Sequence, residues 1–331
     1  MKRKWIKSVT IIVGILFVML LAVGLLFQDD DKLGGFTTEE GQREFIEAYN
    51  SVMEDIPKPS EEFWVETKFG KVKVYKFLEE GTESKIPLLL LPGKSASTPM
   101  WEPNLKDLMK DRPIYTIDLL GEPGLSVQTK KIVTSTDQAV WLNNVIDQLP
   151  EETVHLAGLS FGEWSAVNVT LFKSAKIASL TLIDPVYVFG PIPLKMIIAS
   201  IPASIPAVPK SIREKMLSYI AGGAETDESV PIGKLIETGM RNYKSKLPMP
   251  KEITEEQLRE LKMPVLGILA EDSTMHHSEE SLDVGIENLK NPLSHMVMFP
   301  NASHAINGEY PEELAKNIVD FLQKVEINMN N

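Results

Sequence analysis

A serine hydroxyl attacks a carbonyl only when a base takes its proton, and one serine of this chain stands in a setting that suits the role. Ser160 lies in "TVHLAGLSFGEWSAV", residues 153–167, between Gly158 and Gly162. Strand-forming residues end at the serine, and an alanine-containing helical pattern follows at once. Glycines on either side let strand and helix pass close together around the turn. The hydroxyl would stand at the apex, beside backbone N–H groups at the positive end of a helix. Such a turn strains the serine backbone by ~1–3 kcal/mol, which asks for a functional reason. The pentapeptide G-x-S-x-G occurs by chance. Between a strand and a helix it is the pattern of a nucleophile elbow.

The chain has five histidines from which to choose a base. His155 alternates inside the strand before Ser160 and reads as a packed core residue. His276 and His277 are adjacent in a loop. Adjacent positions point different ways, so they read as surface residues rather than a metal pair. His295 begins a strand. His304, in "FPNASHAINGEYPEEL", lies past the last strand and before the last helix. That places it on the rim that carries Ser160, and makes it the best base by location. The imidazole in turn needs a carboxylate to hold its tautomer and stabilise its charged form. Asp272, in "LGILAEDSTM", follows the next-to-last strand and falls between serine and histidine in chain order; it is the first choice. Asp184, in "LTLIDP", is the rival and Glu271 the third. Each also reads as a solvated loop charge or a helix cap. The oxyanion formed on attack needs two N–H donors. Phe161, directly after the serine, offers one. Lys94 offers the other, from the turn after "IPLLLLPGKSAS", where Gly93 would let the backbone approach. The plain alternative there is an ordinary Pro-Gly turn.

These residues need a frame that brings the ends of distant segments together. "FWVETKFGKVKVYKF" alternates like an exposed hairpin. "IPLLLLPG", "RPIYTIDLLG", "ETVHLAGLS", "IASLTLIDP", "MPVLGILAED" and "SHMVMFPNASH" are short apolar runs suited to strands buried on both faces. Helical stretches lie among them, at 101–110, 137–148, 162–174, 279–289 and 311–325. Strand and helix in alternation imply a mostly parallel sheet with helices on both faces. Ligand sites on such a sheet form beyond the carboxyl ends of its strands. Residues 185–262 break the alternation, show no convincing strand, and are too long for a simple loop. They read as an inserted helical cap between two parts of the core, 63–184 and 263–331.

The N-terminus has a different character. Residues 1–7 carry Lys2, Arg3, Lys4 and Lys7, and Ser8–Phe27 contains no charge over 20 residues. Twenty helical residues span roughly 30 Å, the thickness of a bilayer core. "QDDDK" follows, and a basic-before, acidic-after order predicts a single-pass anchor in the cell membrane with the bulk of the chain outside the cytoplasm. "GLLFQDDD" offers no good cleavage site, which argues against a removed signal peptide. Residues 28–62 read as a linker followed by an amphipathic helix. The formal net charge of −12 and the absence of a basic stripe after residue 7 argue against a nucleic-acid partner. The chain has no cysteine, hence no disulfide, thiolate nucleophile or cysteine-bound metal. Neither a metal nor a cofactor is called for, and nothing fixes the oligomeric state.

Taken together, the motifs resemble the α/β-hydrolase family, from about residue 64 to 325 without the cap. "LLLLPGKSASTPMW" is similar to the family's His-Gly oxyanion segment, with Pro92 in place of the usual histidine. "YTIDLLGEPGLS" is similar to its Asp-x-x-Gly-x-Gly-x-Ser segment, with Pro123 where a glycine is common. "GLSFG" is its elbow, "PVLGILAED" resembles its acid-bearing strand and loop, and "NASHAINGEYPEELAKNIVDFL" its histidine loop and last helix. In the acid loop Ala270 replaces a usual glycine and Asp272 comes one residue earlier than is typical. Some members carry the acid after the strand before the cap, where Asp184 stands. The resemblance implies an acyl-enzyme mechanism with Ser160, His304 and an acid. A serine nucleophile sets aside the aspartate-using dehalogenase and epoxide-hydrolase branches. The cap would line an acyl pocket, so the expected reaction is hydrolysis of small or medium carboxylic esters. Peptidase, lactonase and thioesterase activities, and a binding module that has lost catalysis, are the other readings.

Overall fold

The computed structural model describes residues 33–203, 211–212, 215, 218–219 and 231–329. The expected anchor, Ser8–Phe27, and the middle of the expected cap lie outside the described residues. Among the described residues no helix is long and apolar enough to cross a membrane.

The described chain opens with β1 (Gly35–Phe36) and α1 (Glu39–Asp55), the latter capped by the Thr38 hydroxyl, which accepts from the Gly41 N–H at 3.0 Å. The hairpin β2 (Glu61–Thr67) and β3 (Gly70–Phe77) follows. Next come β4 (Leu88–Leu91), α2 (Glu102–Met109), β5 (Ile114–Ile117), the short β6 (Val127–Gln128) and α3 (Ser135–Gln148). β7 (Val154–Leu159), α4 (Phe161–Phe172) and β8 (Ile177–Ile183) complete the first part of the core. The insertion carries α5 (Leu194–Ala203), α6 (Pro231–Asn242), β9 (Tyr243–Lys244) and α7 (Glu255–Glu260). The core resumes with β10 (Val265–Ala270), α8 (Ser278–Asn288), β11 (His295–Phe299), α9 (Ile306–Glu309) and α10 (Pro311–Met329).

The main sheet runs β11-β10-β8-β7-β4-β5-β3-β2, with β6 paired to β3. Every pair from β5 across to β11 is parallel, whereas β3 runs antiparallel to β5 and to β2. The apolar runs are continuous because both faces are covered. Leu88 and Leu90 pack on one side with Tyr49 of α1, Leu105 of α2 and Phe321 of α10. Leu89 and Leu91 pack on the other with Trp141 of α3 and Trp164 of α4. Successive strand residues point to opposite faces, so one run of leucines feeds two cores.

After β4 the chain turns one way to β5, then crosses to β7 on the other side of β4. The loops leaving β4 and β7 therefore diverge, and a crevice opens between them at the carboxyl ends of the strands. Ser160 and Lys94 stand at the two edges of that reversal.

The insertion differs from its sequence reading in one respect. It contains β9, which pairs antiparallel with β1 through Gly35↔Lys244 and Phe36↔Tyr243. Two residues leave no alternation to read. The same region is tied to the N-terminal segment by the Thr37 N–H, which donates to the Asn242 carbonyl at 2.7 Å.

Candidate active site

Ser160 closes β7 and precedes α4 with φ 55° and ψ −119°, in the left-handed half of backbone space that a serine rarely adopts. The flanking glycines explain how the turn closes. A Cβ on Gly158 would lie 2.3 Å from the Glu163 nitrogen, and one on Gly162 would lie 2.1 Å from the Leu91 carbonyl oxygen. Both clashes are with backbone, so neither position accepts a side chain. The Ser160 N–H donates to the Ile183 carbonyl at 3.2 Å, which ties the turn to β8.

His304 lies beyond β11, and its Nε2 stands 3.0 Å from the Ser160 hydroxyl oxygen. Its Nδ1 faces Asp184 Oδ2 at 2.5 Å. The carboxylate beside the base is thus Asp184, the rival, and not Asp272. The two differ in where they point. Asp184 is fully buried at the end of β8, with φ 47°. Asp272 is exposed, and it meets the histidine loop through its backbone, whose N–H donates to the Ala302 carbonyl at 2.9 Å. Glu271 braces the same loop from outside by accepting the Asn301 N–H at 2.9 Å. The residue after Asp272 explains the exchange. Ser273, not Asp272, turns its side chain to the site, and its hydroxyl donates to Asp184 Oδ2 at 2.6 Å.

Asp184 also accepts the Ala270 N–H at 2.9 Å and His276 Nε2 at 2.7 Å, both on Oδ1. Burial alone would raise its pKa, but the hydrogen bonds from His276 and His304 outweigh it and hold the carboxyl below its ordinary range. His276 corrects the reading of the histidine pair as surface residues: His276 is buried and reaches the acid, while His277 is exposed. Adjacent residues do point apart, but one of the two directions led inward. His155 is buried in β7, with Nδ1 2.7 Å from the Ser179 hydroxyl, away from the site.

Sequence reasoning also passed over Glu163, on the first turn of α4. Its side chain is fully buried, and its Oε1 accepts the Val186 N–H at 2.5 Å, just beyond Asp184. Burial pushes this carboxyl well above its ordinary pKa, and the nearby Asp184 charge adds to the effect. Its Oε2 is buried without a hydrogen-bond partner. Glutamate is rarely fully buried, so sequence alone does not mark this one, although the helix that carries it is largely apolar and buried nearly all round.

Phe161 is the first residue of α4, so its N–H is among the amides with no acceptor inside the helix. Lys94 lies in the loop after β4. There the Gly93 backbone comes close to the elbow, but a Cβ on Gly93 would meet its nearest neighbours at 3.5 Å, an ordinary contact. The close approach at this crossing depends on Gly162 instead. The loop is held from beneath by two buried carboxylates. Glu122 accepts the N–H of Ser95, whose φ is 59°, at 2.8 Å, and Asp118 accepts the Thr98 N–H at 2.9 Å. Burial raises the pKa of both carboxyls. Among the described residues no group of three or more His, Cys, Asp or Glu side chains is placed to hold a metal ion.

A buried carboxylate, an imidazole and a serine hydroxyl in a hydrogen-bonded line can pass a proton from serine to imidazole as the oxygen attacks a carbonyl carbon. Comparisons with known proteins bear on the fold and the class of reaction. The model of the alpha/beta hydrolase family matches residues 88–317. Carboxylesterase YbfK of Bacillus subtilis strain 168 is 26% identical over 298 residues, covering 88% of this chain and 97% of that protein. The crystal structure of the Bacillus subtilis carboxylesterase CesB (YbfK) superposes with a TM-score of 0.76 at 26% identity, over 86% of this chain and 98% of that one. An uncharacterized carboxylesterase of the same organism, nap, is 25% identical over 299 residues, 84% of this chain and 91% of its own length.

Proposed function

The chain belongs to the alpha/beta hydrolase family, and from that premise we propose that it cleaves carboxylic esters through an acyl-enzyme formed on Ser160. The observation that carries the reading is the unbroken line Ser160 Oγ, His304 Nε2, His304 Nδ1 and Asp184 Oδ2, with separations of 3.0 and 2.5 Å. A carboxylate only accepts, so Nδ1 carries a proton toward Asp184 and Nε2 is free to take the serine proton.

In this reading His304 accepts that proton as Ser160 Oγ bonds to the ester carbon. The oxyanion is held by the Phe161 and Lys94 N–H groups. His304 then protonates the departing alcohol oxygen, and the acyl group remains on Ser160. A water next gives its proton to His304 and attacks the acyl carbon, releasing the acid and restoring the serine. Asp184 stays ionised throughout and stabilises the imidazolium. Esterase-type chemistry is supported by the carboxylesterase relatives. The apolar composition of "PIPLKMIIASIPASIPAVPKS" supports small to medium acyl chains as the substrate class. The uncharged run Ser8–Phe27 behind four basic residues supports attachment to the cell membrane, with the hydrolase outside the cytoplasm.

The test is covalent labelling of the full-length protein with a fluorophosphonate, followed by peptide mass spectrometry and a panel of p-nitrophenyl esters of rising chain length. One adduct on Ser160, with loss of both labelling and ester turnover in Ser160→Ala, is the expected result. An adduct on another residue, or unchanged turnover in Ser160→Ala, would remove the mechanism.

A further inference from the structure

Asp184 is approached by histidines on both of its oxygens, and only His304 has a part in the proposed reaction. His276 comes from the loop between β10 and α8, is buried, and places Nε2 2.7 Å from Asp184 Oδ1. Since Asp184 can only accept, Nε2 is the protonated nitrogen. The other nitrogen, Nδ1, lies 3.3 Å from the Ser278 hydroxyl oxygen on α8. That hydroxyl has one proton and a shorter contact elsewhere, to the Ala270 carbonyl at 2.8 Å. The Ser278 contact holds the far edge of the ring against α8, so the plane of the imidazole is fixed from both sides.

We propose that His276 is a positioning residue for ester hydrolysis: it fixes the Asp184 carboxylate from the side away from His304 and shares its negative charge. This inference rests on the reading of Ser160, His304 and Asp184 as a hydrolytic triad. The carboxylate has about four lone-pair directions, and each has a donor. Ala270 N–H and His276 occupy Oδ1; Ser273 and His304 occupy Oδ2. Removing His276 leaves Oδ1 with one donor, frees the carboxylate to rotate, and returns its full charge to His304. Among the described residues, few titratable groups face this cluster. His304 stands across Asp184, Ser278 faces His276 from α8, and the carboxyl of Glu163 lies behind Asp184 on α4, where burial pushes its pKa well above the ordinary value.

The effect is separable from packing by comparing two variants of the full-length protein, His276→Gln and His276→Leu. Glutamine places an amide N–H near the position of Nε2; leucine fills the space without a donor. Each is assayed for kcat, KM and the pH dependence of kcat/KM on a short p-nitrophenyl ester, with circular dichroism to establish folding. His276→Leu is expected to lower kcat roughly 10–100-fold with KM within about twofold, the scale of a misplaced catalytic group. The acid-side midpoint should move up, because an unshared carboxylate stabilises the His304 imidazolium more strongly. His276→Gln is expected to keep kcat within about threefold. Wild-type kcat and midpoint in His276→Leu would overturn the proposal, and so would a tenfold or larger loss in His276→Gln. If His276→Leu does not fold, the glutamine variant alone decides by the same limits. Wild-type protein that neither turns over esters nor takes a fluorophosphonate on Ser160 would instead mean that the hydrolase reading itself has failed.

Discussion

Asp184→Asn removes one charge and almost no volume, and the site dictates what happens next. The new amide has one oxygen and one NH₂. Were the NH₂ to replace Oδ1, it would point at the Ala270 N–H, a backbone donor at 2.9 Å that cannot reverse its role. The oxygen therefore stays on that side, and the NH₂ faces His304 Nδ1 at 2.5 Å. The imidazole answers by switching tautomer. Nδ1 becomes an acceptor, and the proton moves to Nε2, which now faces Ser160 at 3.0 Å and cannot take its proton. A wrong tautomer of this kind in a serine triad costs roughly 10⁴ in kcat, about 5.5 kcal/mol of barrier. Asp272→Asn, at an exposed side chain, should change kcat by less than about twofold, as surface substitutions do. Both variants would be assayed by ester turnover, with far- and near-ultraviolet circular dichroism to show that each is folded. A folded Asp184→Asn within tenfold of wild type, or an Asp272→Asn that loses more than Asp184→Asn, would refute the reasoning.

A further prediction concerns Glu163, whose folded-state pKa is raised by burial. Its contribution to stability is complete below the unfolded value of ~4.3 and is lost as pH rises through the folded value. Glu163→Gln cannot ionise and keeps an acceptor for the Val186 N–H, so its thermal advantage over wild type should grow between pH 5 and pH 9. Each 1 kcal/mol would read as roughly 2–4 °C; an advantage that stays flat with pH would speak against a protonated Glu163. The anchor reading predicts that protease added to intact spheroplasts removes the hydrolase domain. Full protection, with the protein still in the membrane fraction, would place the domain on the other side.

Much of the site was legible because strand ends are legible. Ser160 announces itself by two glycines whose missing Cβ atoms the turn requires, and His304 by its place between the last strand and the last helix. The acid could not be settled that way, since Asp184 and Asp272 both follow core strands and only burial separates them. His276 and Glu163 were hidden for a related reason. His276 lies in a loop, and Glu163 is the one carboxyl in the largely apolar helix α4; residue type argued for solvent in both cases, and packing decided otherwise. The β1–β9 pair was invisible for want of length, because two residues carry no period. The mostly parallel core, by contrast, was plain from its apolar runs, which only a sheet covered on both faces can accommodate.

The 2.6 Å contact between Ser273 and Asp184 couples two strand ends. Position 273 and position 184 follow neighbouring parallel strands, and their side chains meet beside the same imidazole. A displacement of the loop after β10 therefore reaches the carboxylate directly, through Ser273 on one oxygen and His276 on the other. The loop that carries Asp272 thus serves the site by holding the acid rather than by supplying it.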